Sequence, residues 1–160
     1  MMRALVSALI AALLLAAPAQ AAGPQSFERG SWTKLRAAHA GKPTVIHFWG
    51  LTCGPCLAEM PKWGKLLAER PDIDLVLIAA DPVPQSLDDV AATVARNHLE
   101  RAESWSFTDR FFEKLRYEID PRWAGELPRT LLIDAAGNIV AMNGVADLAK
   151  VRTWLDQQKK

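Results

Sequence analysis

Apolar positions along this chain fall into two kinds of run. Compact stretches with almost no polar alternation occupy 44–49 and 73–80, the pattern of strands covered on both faces. Elsewhere apolar residues recur at steps of three and four, the pattern of helices with one inward face. That spacing predicts a helix from Ser31, its cap, through Trp32, Leu35, Ala38 and His39. A second helix opens at Cys53 and continues to about Arg70, with Cys56, Glu59, Met60, Trp63 and Leu67 inward and with Pro61 inside it, where proline removes a hydrogen bond and bends the axis. A third starts at Ser86, with Asp89 three residues on, and carries Leu87, Val90, Val94 and Leu99. A fourth is capped by Thr108 and runs through Phe112, Leu115 and Tyr117, and the last spans 147–158 with Leu148, Val151 and Trp154 inward. Short strands are expected at 26–29 and 103–107, and a hairpin at 129–134 and 139–142 about the Gly137-Asn138 turn. Strands that alternate with helices and end in a hairpin and a helix describe an α/β domain with a mixed sheet. The segment 82–123 reads as a helix-containing insertion between the second strand and the hairpin.

The first 21 residues do not join this pattern. Arg3 is followed by an apolar block interrupted only by Ser7, then by Ala19-Gln20-Ala21, the small-x-small pattern of a signal peptidase site. The block is shorter than the roughly 20 residues a membrane span needs, so a cleaved signal is expected at 1–21, and one domain at 22–160. No cysteine lies near the cut to carry a lipid. Without Arg3 the basic and acidic side chains are equal in number. No basic stripe calls for nucleic acid and no charge run suggests a tail.

Export implies an oxidising compartment, where cysteines usually pair as staples. The chain has two cysteines, Cys53 and Cys56, and a staple across two intervening residues closes almost no loop and stabilises little. A reactive pair at a strand-to-helix turn, built for disulfide exchange, is the better reading.

The chain resembles the thioredoxin fold in Phe48-Trp49, Cys53-Gly54-Pro55-Cys56, Pro61 in the following helix, and Leu127-Pro128-Arg129-Thr130 before the hairpin. More closely it is similar to the exported TlpA/ResA-like branch, in Glu59-Met60-Pro61 after the cysteines and in the Pro128 to Gly137 hairpin segment. It departs from cytosolic thioredoxins at His47, two residues before Trp49, where those proteins bury an acid. The resemblance implies a thioredoxin-like mixed sheet flanked by helices, a cis proline at Pro128, and a client chain laid against the backbone of Leu127. It further implies no cofactor, electrons from a membrane thiol-transfer protein, and exported protein thiols or disulfides as clients, apocytochrome c among them.

The residues themselves suggest a division of labour. Cys53, at the helix N-terminus with its unpaired N–H groups and positive dipole end, is the expected attacking thiol. Cys56, one turn in, is the expected resolving thiol. Gly54 and Pro55 fit the tight turn, and Trp49 is expected to flank the dithiol. Glu59, three residues beyond Cys56, is placed to take its proton, and burial should raise the Glu59 pKa toward neutrality. His47 has two readings, as a proton relay or thiolate stabiliser and as a core histidine with a satisfied hydrogen bond. His39 and His98 have no ligand partner at matching spacing and read as ordinary. The remaining tryptophans read as packing.

These readings point to a periplasmic thiol–disulfide oxidoreductase with Cys53–Cys56 as its redox-active disulfide, reducing rather than oxidising its clients. The competing functions are a disulfide oxidase and a copper-carrying chaperone of the same fold, since soft thiolates suit Cu(I); no histidine follows His98 to complete such a site.

Overall fold

The computed structural model describes residues 23–159, and the expected signal segment lies outside them. Six strands, β1 (Gln25–Phe27), β2 (Thr44–Trp49), β3 (Asp74–Ala79), β4 (Glu103–Phe107), β5 (Arg129–Ile133) and β6 (Ile139–Asn143), form one sheet in the order β1-β4-β3-β2-β5-β6. The pairs β1–β4, β4–β3 and β3–β2 are parallel, whereas β2–β5 and the β5–β6 hairpin are antiparallel. Five helices cover it: α1 (Ser31–Ala38), α2 (Gly54–Glu69), α3 (Leu87–Arg96), α4 (Phe112–Ile119) and α5 (Leu148–Gln157).

Apart from half-buried Asp74 at the start of β3, both central strands are buried, and successive residues feed two separate cores. Val45 and Trp49 of β2, with Leu75 and Leu77 of β3, pack under α2, α3 and α5 through Met60, Trp63, Val90, Val94, Val151 and Leu155. Ile46 and Phe48, with Val76 and Ile78, face the other way, onto Leu35 of α1 and Leu115 and Ile119 of α4. The missing polar alternation in the sequence is thus explained by helices on both faces.

The segment 82–123 is more than an addition to the sheet's surface. It supplies β4, which enters the sheet between β1 and β3. Several local expectations need correction. Ser31 is the first residue of α1 and does not cap it; its hydroxyl accepts the Glu28 N–H at 2.9 Å, and Gly30 takes the cap position with a positive φ of 82°. Thr108 does not cap α4, whose N-cap is Phe111; the Phe111 N–H is taken by Asp109 Oδ1 at 2.9 Å. Tyr117 is exposed. In α5 the buried pair is Val151 and Leu155, with Trp154 only half-buried. By contrast Ser86 caps α3 through its side chain as its spacing suggests, and Asp147, read as the first residue of the last helix, caps α5 through its side chain instead.

Candidate active site

β2 runs out at Trp49 and the chain turns through Gly50, Leu51 and Thr52 into α2. The carboxylate of Asp81, just past the end of the neighbouring β3, holds this turn: it accepts the Leu51 N–H at 2.9 Å, the Thr52 N–H at 2.9 Å and the Thr52 hydroxyl at 2.7 Å. A Cβ on Gly50 would come within 2.8 Å of Asp81 Oδ1, so glycine lets the carboxylate seat against the backbone. Cys53 is then the N-cap of α2, with extended backbone, and its Sγ accepts the Cys56 N–H at 3.3 Å. Gly54 and Pro55 follow in the first helical turn, where the missing proline N–H costs nothing.

Cys53 and Cys56 are joined as a disulfide with an S–S distance of 2.02 Å. The two sulfurs differ in access. Cys56 is wholly buried in the core under α2, whereas Cys53 is half-exposed and is followed by exposed Gly54 and Pro55. Only Cys53 can meet a partner thiol or disulfide from solution.

One turn further along α2, the inward Glu59 meets His47 of β2 in a nearly dry contact, Oε1 to Nε2 at 2.9 Å, with side chains 3% and 0% exposed. Two further groups hold the imidazole: Nδ1 meets Thr130 Oγ1 at 3.0 Å, with β5 placing Thr130 directly opposite His47, and the Trp63 ring lies against it with centroids 4.7 Å apart. Glu59 Oε2 accepts the Ala146 N–H at 2.9 Å. The expectation that burial lifts the Glu59 pKa is overturned. Desolvation does push it up, but the His47 contact, the charge attraction of His47, the Ala146 N–H and the Trp63 N–H together hold the carboxyl below its ordinary range.

The Leu127–Pro128 bond is cis. Because Phe48 pairs with Arg129 in antiparallel register, Pro128 lies level with Trp49, at the mouth of the dithiol turn. Pro128 is buried and its carbonyl accepts the Gly144 N–H at 2.8 Å, while half-buried Leu127 packs, like Cys53, against the core under α2. Trp49 shares the core of Cys56, with Cys53 packed against it, and the expectation that it also binds a client needs correction. Its side chain is wholly buried, so it supports the turn from beneath and does not present a surface to a client. Arg129, also buried, turns to the opposite face, where it meets Asp120 at 2.6 Å and stacks on Trp123.

Two residues escaped the sequence reading. Asp81 opens the proline-rich stretch Asp81-Pro82-Val83-Pro84, and its one recognisable signal is its place just past a largely apolar parallel strand, where such sheets build sites. His39 is not idle: at the far end of the sheet it bridges Asp74 at 2.6 Å through Nδ1 and Glu103 at 2.9 Å through Nε2. His98 lies past α3 in left-handed backbone. Among the described residues no group of three or more His, Cys, Asp or Glu side chains is arranged to hold a metal ion.

Solved structures share this architecture. A secreted Mycobacterium tuberculosis disulfide oxidoreductase homologous to E. coli DsbE superposes with a TM-score of 0.60 at 20% identity, over 76% of this chain and 85% of its own. The fold is thioredoxin-like. A thioredoxin family thiol:disulfide interchange protein from Chlorobium tepidum gives the same TM-score, 0.60, at 18% identity over 77% and 83% of the two chains. In sequence, this thioredoxin-like chain is 31% identical over 110 residues to the thiol-disulfide oxidoreductase ResA of Halalkalibacterium halodurans, a match that covers 64% of this chain and 54% of the relative. The chain therefore spans about half the length of that relative. No protein-family model matches it.

Proposed function

We propose that this thioredoxin-like protein is an exported thiol–disulfide oxidoreductase that reduces disulfides in other exported proteins. The observation that carries the reading is the asymmetry of the dithiol: half-exposed Cys53 at the N-terminus of α2 is bonded to wholly buried Cys56, with the buried Glu59–His47 pair one turn below. The similarity to ResA agrees with it.

In the reduced protein the Cys53 thiolate attacks one sulfur of a client disulfide, forming a mixed disulfide, and the client's leaving thiolate takes a proton from water. Cys56 then gives its proton to the Glu59–His47 pair and its thiolate attacks Cys53 Sγ. The Cys53–Cys56 bond closes and the second client thiolate leaves and is protonated. Two electrons pass from dithiol to client, and a donor dithiol, which we assign to a membrane thiol-transfer protein, restores the starting state. The backbone at Leu127 and cis-Pro128, beside the turn, is the surface against which a client strand is laid. Periplasmic clients whose cysteines must be reduced before use, such as apocytochrome c, fit this direction.

A Cys56→Ser variant tests the reading. It should accumulate mixed disulfides with exported clients through Cys53, identifiable by mass spectrometry, while the Cys53→Ser variant traps none. In the wild type, equilibrium with glutathione should give a potential near the value of about −270 mV known for thioredoxin; one near the −120 mV of DsbA would make the protein an oxidant instead. Absence of any trapped client from a periplasmic extract would sink the reading.

A further inference from the structure

Asp81 lies outside the dithiol, yet it is the carboxylate that seats the turn from which Cys53 emerges. It is buried, and its two oxygens take the N–H groups of Leu51 and Thr52 and the Thr52 hydroxyl. Those donors sit immediately ahead of α2, whose own free N–H groups and positive end favour a thiolate at Cys53. Left unpaired, they would add to that favourable field. Paired to Asp81, they are consumed, and a carboxylate is fixed against Thr52, the residue that precedes Cys53. A like charge nearby disfavours ionisation of a thiol. Stabilisation of the reduced form is what makes a dithiol oxidising, so a device that withholds it makes the dithiol reducing.

We propose that Asp81 is a positioning residue that offsets the helix N-terminus and keeps Cys53 a less acidic, more reducing thiol. The other buried titratable groups of the packed elements act elsewhere: Glu59 of α2 and His47 of β2 engage each other one turn below, and Arg129 of β5 is taken by Asp120 on the opposite face. The inference rests on the oxidoreductase reading for its consequence, but its physical content, the acidity of Cys53, is measurable without any client.

The test compares two variants in the reduced full-length mature protein, with Cys53 acidity read from thiolate ultraviolet absorbance against pH and the dithiol potential read from equilibrium with glutathione. Asp81→Asn removes the charge and keeps the size. It should make Cys53 more acidic and shift the exchange equilibrium toward the reduced dithiol by about 10-fold, roughly 30 mV. Thr52→Val loosens the same turn but keeps the charge and frees it from one neutralising donor, so Cys53 should become less acidic. If Asp81 were only a brace, both variants would move Cys53 the same way. That result, or an unchanged Cys53 in Asp81→Asn, overturns the proposal. Should Asp81→Asn fail to fold, the sign of the Thr52→Val shift decides: a less acidic Cys53 supports the proposal, and any other result overturns it. A wild-type protein that does not exchange with glutathione at all refutes the oxidoreductase reading instead, and the acidity comparison stands apart from it.

Discussion

At the residue scale the Glu59–His47 pair is where burial and charge work against each other. Burial alone would favour a protonated carboxyl; His47 at 2.9 Å reverses the balance. The sign for stability follows from that direction. A carboxyl whose folded pKa lies below its unfolded value adds stability that is present above the unfolded value and lost as pH falls through the folded one. The chemical consequence is sharper. In His47→Asn the imidazole is gone, desolvation prevails, and the Glu59 pKa should rise. Resolution of the mixed disulfide, which needs the unprotonated carboxylate, should then lose rate at the acid end of its profile and recover at higher pH, by about 10-fold for each unit of upward shift. Stopped-flow measurement of client release against pH reads this directly, and an unshifted profile would show that His47 only packs.

At the element scale, the dithiol depends on how closely α2 is held. Its inward face was readable from spacing, since Cys56, Glu59, Met60, Trp63 and Leu67 are all buried. Its contact with the chain after α3 was not. A Cβ on Gly64 would run into the carbonyl oxygen of Asn97, so α2 and that turn approach at backbone distance. Nothing in a single glycine within a helical pattern states what lies across from it. Gly64→Ala should destabilise the protein by about 1–3 kcal/mol, the usual cost of overpacking, as read by urea unfolding of the oxidised form. Its Cys53 acidity should remain that of the wild type, because the N-terminal turn of α2 is anchored separately by Asp81.

For the whole molecule, the sheet separates two kinds of polar cluster. The C-terminal ends of β2 and β3 carry the dithiol turn and Asp81, and the start of β2 lies beside the His39 cluster. There His39 ties the end of α1 to Asp74 of β3 and Glu103 of β4, and Thr44 Oγ1 adds a contact to Asp74 at 3.0 Å. Desolvation lowers the His39 pKa, but the two carboxylates outweigh it and the net shift is upward. A raised folded pKa contributes stability that is fully present below the unfolded value of about 6.5 and is lost as pH rises through the folded one. The thermal midpoint of the oxidised protein should therefore fall as pH rises above about 6.5, and His39→Gln should flatten that slope without altering the pH profile of client reduction. A slope equal to the wild type's would remove His39 as its source.

What the sequence determined by itself is what local rules and a resemblance can carry. Largely apolar runs marked β2 and β3, steps of three and four marked the faces of the helices, and Cys53-Gly54-Pro55-Cys56 with Glu59 and Pro128 marked the site. These signals lie within one element or one motif, so neighbouring residues suffice to read them. Only the tertiary structure decided that Glu59 is held below its ordinary pKa, that Asp81 rather than any residue of the motif seats the turn, that Trp49 is buried, and that His39 bridges two strands. Each of these depends on groups brought together across 12 or more positions in sequence: 12 between His47 and Glu59, 29 between Thr52 and Asp81, 87 between Glu59 and Ala146. Charge and desolvation act through space, and a one-dimensional pattern holds no record of which side chains share it.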